Sequence, residues 1–462
     1  MEKEHPLKIG LEIHGYLDTK EKLFCKCSTN SDEEPNSNIC PICTGTPGSK
    51  PMMPNEEAMK KLLQIALILN CKIETKEPLL FHRKHYNWPD LPKGYQSTIS
   101  GAHCKFPAFE GEFKKIKIWE CHLEEDPAAW NPETGHINYN RSGLPLVEVV
   151  TAPDFKSIEE VIIWLKAFIH SMSYIKALRK NAGIKVDVNV STYGPRIEMK
   201  NLNSLIKIED ALKYEISRQL DAQKKGEEIV QETRRYDEKS GKTVRMRTKE
   251  NMDDYRFIVD PDLPSINFEE KWIKEIEKNL PETPDQKLEK LLTKFKLEKS
   301  DANIIAKNLE LVEFIEELSK EGIDIKKNIS WLTIELMRIL NYNKMTLDDS
   351  EVDVKPIHLA ELIKTVNEGE VTKLKAKQIM NDFIPESFSI SEKGDFSKVE
   401  DKIVKNICEK VILENQKAVI DYKEGSENSL NFLIGQVMKL SERRADFQTA
   451  KEELIKLLEK ED

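Results

Sequence analysis

The strongest constraint on this chain is a change of rhythm at NLPETPDQ, residues 279–286. Before it, short runs rich in β-branched and aromatic residues alternate with Pro/Gly turns: KIKIWECHL (115–123), LPLVEVVTAP (144–153), IKVDVNVSTYG (184–194) and RIEMKNL (196–202). Helical stretches interrupt them at 55–70, behind Asn55, and at 157–178, behind Ser157 with Glu160 at the capping-box position. Strands and helices in irregular order predict an α+β domain, not a regular βαβ array. After 286 the apolar residues fall almost wholly at helical spacing, as in ANIIAKNLELVEFIEELSK and ISWLTIELMRILN. A weaker break at IPESFSISEKGDFS (384–397) divides that helical half. The expected organisation is a mixed domain over 1–290, a helical domain over 291–395 and a small helical tail over 396–462. No internal repeat is visible.

At 462 residues the chain exceeds one ordinary core, in keeping with this division. No apolar run reaches the roughly 18 residues a membrane span needs. The opening MEKEHPLKIG is charged, unlike a secretory signal, so a cytoplasmic location without a membrane is expected. In that compartment eight cysteines read as thiols or metal ligands. A net charge of −10 argues against a protein that coats nucleic acid, but leaves room for a local basic patch.

Four of the cysteines stand as Cys25-Lys-Cys27 and Cys40-Pro-Ile-Cys43, with Gly45 following the second pair. Two short loops each offering two thiolates can complete a tetrahedral zinc site. The intervening STNSDEEPNSNI is too polar to bury thiols by itself, although four buried metal-free thiols are the alternative. Such a site, at 25–43, leaves no open coordination position and shapes a loop.

Carboxylates inside apolar runs carry the second signal. In an extended GLEIH, Leu11 and Ile13 face one way while Glu12 and His14 face the other. CHLEED supplies His122, Glu124 and Glu125, and LPLVEVVTAP buries Glu148 among Leu146, Val147, Val149 and Val150. An ionised carboxylate there is costly unless paired or metal-bound. One alternative is pairing with a nearby cation, such as Arg141 with Glu148. Taken together, the groups favour convergence on one divalent cation, with Mg²⁺ suited to oxygen ligands. SGKT at 240–243 resembles the end of a phosphate-binding loop, but Tyr236 stands where its first glycine belongs. Scattered cations are the remaining candidates for phosphate contact: Arg83, Lys84, Lys93 and Lys200.

In combination GLEIH, LFCKCST…NICPICTGTPGSKP, RKHYNWPDLPKGYQ, HLEED, NRSGLPLVEVVTAPD, RIEMKNLNS, QETRRYDEKSGKTVRMRTKE, DDYRF, PDLP and NFLIGQVMK resemble the GatB/GatE family of tRNA-dependent amidotransferase subunits, over residues 10 to about 445. The resemblance implies a cradle (kinase/amidotransferase) domain, a helical domain and a YqeY-like tail. It implies an ATP-dependent carbon–nitrogen ligase using glutamine as nitrogen donor, acting on misacylated Asp-tRNA(Asn) or Glu-tRNA(Gln). The implied partners are a GatA-like amidase subunit and a GatC-like small subunit, and the implied cofactors are ATP, Mg²⁺ and Zn²⁺. Carried over by position, Glu12, His14, Glu124 or Glu125, and Glu148 become the magnesium and catalytic set. Lys84, Lys93, Lys200 and Arg234 become anion contacts, and Lys439, Arg443 and Arg444 a tRNA-facing edge of the tail. Where the family usually has an aspartate before Arg-Lys, this chain has His82. The synthetase-like insertion of the E-type members has no room here. A non-catalytic tRNA-binding scaffold is the competing reading; it leaves the carboxylates in apolar strands unexplained.

Overall fold

The computed structural model describes residues 7–30, 33–180, 183–248 and 256–460. The end of the QETRRYDEKSGKTVRMRTKE motif and the first three residues of DDYRF lie outside the described residues. The chain divides into two units, Met1–Thr283 and Pro284–Asp462, with the division inside the Pro-punctuated stretch.

The first unit is built on a sheet of twelve strands. In chain order its elements are β1 (Lys8–Tyr16), α1 (Glu56–Ile68), β2 (Lys72–Ile73), β3 (His82–His85), β4 (Gln96–Thr98), β5 (Ala108–Phe113) and β6 (Ile116–Glu125). A small separate hairpin, β7 (Ala129–Trp130) and β8 (Ile137–Asn138), precedes β9 (Pro145–Thr151) and α2 (Ile158–Tyr174). Then follow β10 (Ile184–Ser191), β11 (Ile197–Leu202), α3 (Leu205–Lys225), β12 (Glu232–Asp237), β13 (Lys242–Thr248), β14 (Arg256–Val259) and α4 (Glu270–Lys278). The main path runs β13-β12-β11-β10-β1-β9-β6-β4-β3-β14, with β5 and β2 branching from β6.

Local chemistry starts the helices as expected. The Asn55 side chain accepts from the amides of Glu57 and Ala58, and Ser157 from that of Glu160. Period-two alternation then divides the sheet into two unlike faces. Ile9, Leu11 and Ile13 of β1, Val147 and Val149 of β9, and Val186, Val188 and Val190 of β10 are buried in one core with α1, α2 and α3. The intervening residues of the same strands look the other way, and Glu12, His14, Glu148, Lys185 and Asp187 lie there. Apolar burial on the helical face therefore fixes the register that assembles the polar face.

The second unit is all helical, from α5 (Pro284–Thr293) to α16 (Phe447–Lys460), and holds two separate cores. One spans Leu291 to Ile390 and the other Val404 to Leu458. A large sheet domain followed by helices is the α+β class the sequence predicts.

Candidate active site

Strand register sets the polar face out in rows. Across β6, β9, β1 and β10 one row reads His122, Glu148, His14, Lys185, and the next reads Glu120, Val150, Glu12, Asp187. Glu148, His14 and Lys185 of the first row and Glu12 and Asp187 of the second line a cleft of about 440 Å³, together with Tyr16, Lys84, Asp126, Arg141 and Lys200.

Glu148 lies at the centre. Its carboxylate is 3.3 Å from His14 Nε2 and 3.5 Å from His122 Nε2, and His122 Nε2 is 3.6 Å from Glu124. Burial alone would depress the histidines, but it is outweighed by Glu148 and its neighbours, which raise His14 to about 9 and His122 to about 10. Burial also pushes Glu148 upward, yet the two imidazoles hold it well below the usual carboxylate range. Glu148 therefore pairs with His14 and His122. Arg141 instead binds Asp126 at 2.9 Å and the carbonyls of Pro127 and Ala128.

Ligand atoms of His14, Glu124 and Glu148 lie within 4.8 Å of one another. A second group, Glu12, Asp187 and Glu198, is equally close, with Lys200 Nζ 2.8 Å from Asp187 and 3.1 Å from Glu198. Glu12 is raised by burial and then by Glu148 and Glu198, the signature of carboxylates crowded without enough positive charge. A donor set of hard oxygens with one imidazole fits a divalent cation.

The four cysteines also come together, one sulfur from each of Cys25, Cys27, Cys40 and Cys43 within 4.8 Å of the rest. The Cys40 amide donates to Cys43 Sγ at 3.2 Å, and Lys22 Nζ, on a residue 1% exposed, is 3.6 Å from the same sulfur. The hydrogen bond with Cys25 brings Cys43 down to about 5 and raises Cys25. Gly45 adopts φ +66°, and a Cβ there would meet the Pro92 carbonyl oxygen at 2.5 Å. Four sulfurs, one already disposed to be thiolate, fit zinc. Ser142 Oγ donates to the Cys43 carbonyl, tying the loop to the segment that leads into Glu148.

Comparison with known proteins gives the family. A family model described as "GatB/GatE catalytic domain" matches residues 7–274, and a second described as "GatB domain" matches 313–458. The chain belongs to the GatB/GatE family. It is 42% identical to the B subunit of the aspartyl/glutamyl-tRNA(Asn/Gln) amidotransferase of Methanocaldococcus jannaschii, covering 98% of each chain. It is 42% identical to the corresponding protein of Methanobrevibacter smithii, over 95% of this chain and 96% of that one. Against the Methanopyrus kandleri protein of the same name it is 40% identical over the same shares.

Not every residue singled out in the sequence reaches the cleft. Glu125 alternates away from Glu124 and forms an ion pair with Lys93, while accepting from the Ser97 amide at 3.2 Å. Neither Glu125 nor Lys93 lines the cleft. Lys84 does line it, and its charge helps hold Glu124 ionised against burial and Glu148. The adjacent Arg83 points to the opposite face, bound to Asp260 at 3.0 Å and Asp262 at 2.8 Å, with its guanidinium 4.6 Å from the Tyr95 ring centroid. Arg234 is committed elsewhere too, to Glu232, Glu215 and Thr243 under α3. In the second unit Lys439 and Arg443 are exposed. Arg444 instead binds Asp395 and the Ser397 carbonyl, both at 2.8 Å.

Sequence reasoning overlooked Lys185, Asp187 and Glu198. The signal was present: IKVDVNV sets Lys185, Asp187 and Asn189 at alternate positions, as GLEIH does Glu12 and His14. Asn189 Nδ2 donates to Glu12 at 2.9 Å across that strand pair. No helix of the described residues is long and apolar enough to cross a membrane.

Proposed function

We propose that this chain is the transamidating component of a cytoplasmic, ATP-dependent complex that converts Asp-tRNA(Asn), Glu-tRNA(Gln) or both to the amide. The observation that carries the reading is the single polar sheet face on which two carboxylate groups converge beside Lys84, Lys185 and Lys200. The amidotransferase relatives, matched over nearly their whole length, support it.

A carboxylate does not yield to ammonia, because oxide is a poor leaving group. Transfer of the ATP γ-phosphoryl to the side-chain carboxylate gives ADP and an acyl phosphate. Ammonia then forms the C–N bond as the C–O bond to phosphate breaks, and nitrogen sheds a proton to a carboxylate of the site. Phosphoryl transfer asks the protein for positioning and charge neutralisation rather than covalent chemistry. Magnesium held by His14, Glu124, Glu148 and Glu12 would supply Lewis-acid neutralisation of phosphate and carboxylate oxygens. Lys84 and Lys185 orient anionic oxygens from two sides of the cleft. Lys200 balances Asp187 and Glu198 so that an anion can approach. The zinc loop fixes the run-in to β9, and hence Glu148.

Ammonia is delivered by a GatA-like amidase partner, with a GatC-like small protein completing the complex. Lys439 and Arg443 contribute a tRNA-facing edge. The test supplies the complex with ATP, ammonium chloride and each misacylated tRNA in turn, and follows phosphate release and the amino acid recovered from the tRNA. Amide on either tRNA supports the reading; no phosphate release on either, with the amidase verified active, refutes it.

A further inference from the structure

Lys22 is the most deeply buried lysine among the described residues, 1% exposed, whereas Lys20 and Lys26 to either side of it are exposed. Its methylene stem runs against Gly143, where a Cβ would lie 3.5 Å from Lys22 Cδ. Its Nζ ends among three acceptors: the Asn38 carbonyl at 3.0 Å, the Tyr139 carbonyl at 3.2 Å and Cys43 Sγ at 3.6 Å. Lys287, another buried lysine, faces the Glu316 carboxylate at 2.9 Å. Among the described residues no carboxylate does the same for Lys22.

A charge taken out of water is costly unless hydrogen bonds and a counter-charge meet it. A lysine ammonium has three N–H donors and no acceptor, and three acceptors surround this one. Two of them are carbonyls, which can only accept. The third, Cys43 sulfur, carries no proton once it ligates zinc, so the nitrogen supplies all three hydrogens. Among the described residues that sulfur is then the anion the ammonium touches.

The ammonium sits at a junction. The zinc loop and the segment between β8 and β9 are joined by neutral hydrogen bonds along their length. The Tyr139 amide donates to Asn36 Oδ1 at 2.7 Å, and the Asn38 amide to Asn140 Oδ1 at 3.0 Å. Ser142 Oγ donates to the Cys43 carbonyl at 2.6 Å, and the Leu23 amide to the Gly143 carbonyl at 2.8 Å. Lys22 adds a charge to this seam, bridging Cys43 on one side and Tyr139 on the other. The same segment carries Arg141, bound to Asp126 in the cleft.

We infer that Lys22 is the fixed counter-charge of the four-cysteine zinc site, a positioning residue that offsets its negative charge while holding the β8–β9 segment through Tyr139. Four thiolates around Zn²⁺ leave a cluster with two net negative charges. Loading neutral thiols with zinc therefore builds negative charge beneath the surface. An ammonium already held against Cys43 lowers that cost and draws electron density from the sulfur. Lys20 and Lys26 stand in solvent, where water screens their charge.

The inference rests on the zinc reading of the cysteines and is independent of the amidation, and the test separates it from its parent. The purified full-length chain is loaded with zinc or with cobalt(II), as wild type, Lys22→Met and Lys22→Gln. Both variants should hold zinc about tenfold more weakly, or worse, in competition with a chelator. In the cobalt form their thiolate-to-metal charge-transfer band should move to longer wavelength, because the sulfur electrons lose the positive charge facing them. A lysine that only fills space would leave that band in place. Lys22→Gln keeps N–H donors without the charge, so it carries the test if Lys22→Met does not fold. Zinc affinity within about threefold of wild type in a folded variant overturns the inference, as does weaker affinity with an unmoved band. A wild-type chain that binds neither metal overturns the zinc reading, and the inference with it.

Discussion

Glu148→Gln is the perturbation for which the structure gives the clearest magnitude. The substitution keeps shape and removes one charge from between His14 and His122. His14 rises from 6.5 to about 9 against its own burial, chiefly through Glu148. At about 1.4 kcal/mol per pH unit that is roughly 3 kcal/mol of differential interaction. With the charge gone, only Asp187 and Glu124 remain to oppose burial, and His14 should titrate well below its wild-type value. In the metal-free wild type His14 holds its proton more tightly when folded than when unfolded. Its stabilisation is therefore complete below about pH 6.5 and lost as pH rises through about 9. Wild-type Tm should fall over that window and the variant's should fall less. Turnover should drop roughly a hundredfold or more, the equivalent of about 3 kcal/mol. Histidine-selective NMR titration and tRNA-dependent phosphate release check both parts. A variant whose His14 still titrates near 9, or whose turnover stays within about threefold of wild type, refutes the reasoning.

Four further outcomes follow from the same geometry. Because His14 is protonated at neutral pH and must be neutral to bind a metal, Mn²⁺ binding should release a proton. Affinity should then rise by up to about tenfold per pH unit between about 7 and 9, and calorimetry in two buffers of different ionisation enthalpy would show the release. Purified protein should carry about one zinc per chain, and Cys43→Ala should lose it together with thermal stability, read by metal analysis and melting. Arg234→Ala should destabilise by about 3 kcal/mol or more, since it strips a partner from the fully buried Glu215 carboxylate, while the KM for ATP stays within about twofold. Lys200→Met should lose activity and stability together, since it strips the shared cation from the buried Asp187 and Glu198 carboxylates; denaturant melts and initial rates separate the two variants.

Alternation made half of the site legible in the sequence. GLEIH alternates apolar and polar residues, and LPLVEVV sets a single carboxylate in an otherwise apolar strand; strand geometry assigns each of these polar residues to one face. The cysteine pairs were legible for a similar reason, since short spacing guarantees proximity within each loop. Choices between neighbours were not legible. Glu124 and Glu125 are adjacent in one strand and so look to opposite faces, and the register of β6 is itself shifted between Ile118 and Glu120. Arg83 and Lys84 pose the same problem on β3, resolved only when pairing with β4 and β14 fixes which side faces the cleft. Arg234 was chosen for its charge, yet its partners lie in α3 and β13, which no local pattern reveals. The switch to helical spacing after the proline stretch carried the division into a sheet unit and a helical one, because periodicity is a property of each segment alone. The second acidic group needed β10 and β11 brought beside β1, a tertiary fact.

The central claim is that the substrate's own carboxylate is phosphorylated in this cleft. Misacylated tRNA labelled with ¹⁸O in the side-chain carboxylate, given to the complex with ATP and ammonium, tests it most directly. An acyl phosphate carries one carboxylate oxygen away with the phosphoryl group, so the released phosphate should contain one ¹⁸O per amide formed. Amide formed with unlabelled phosphate would contradict the account.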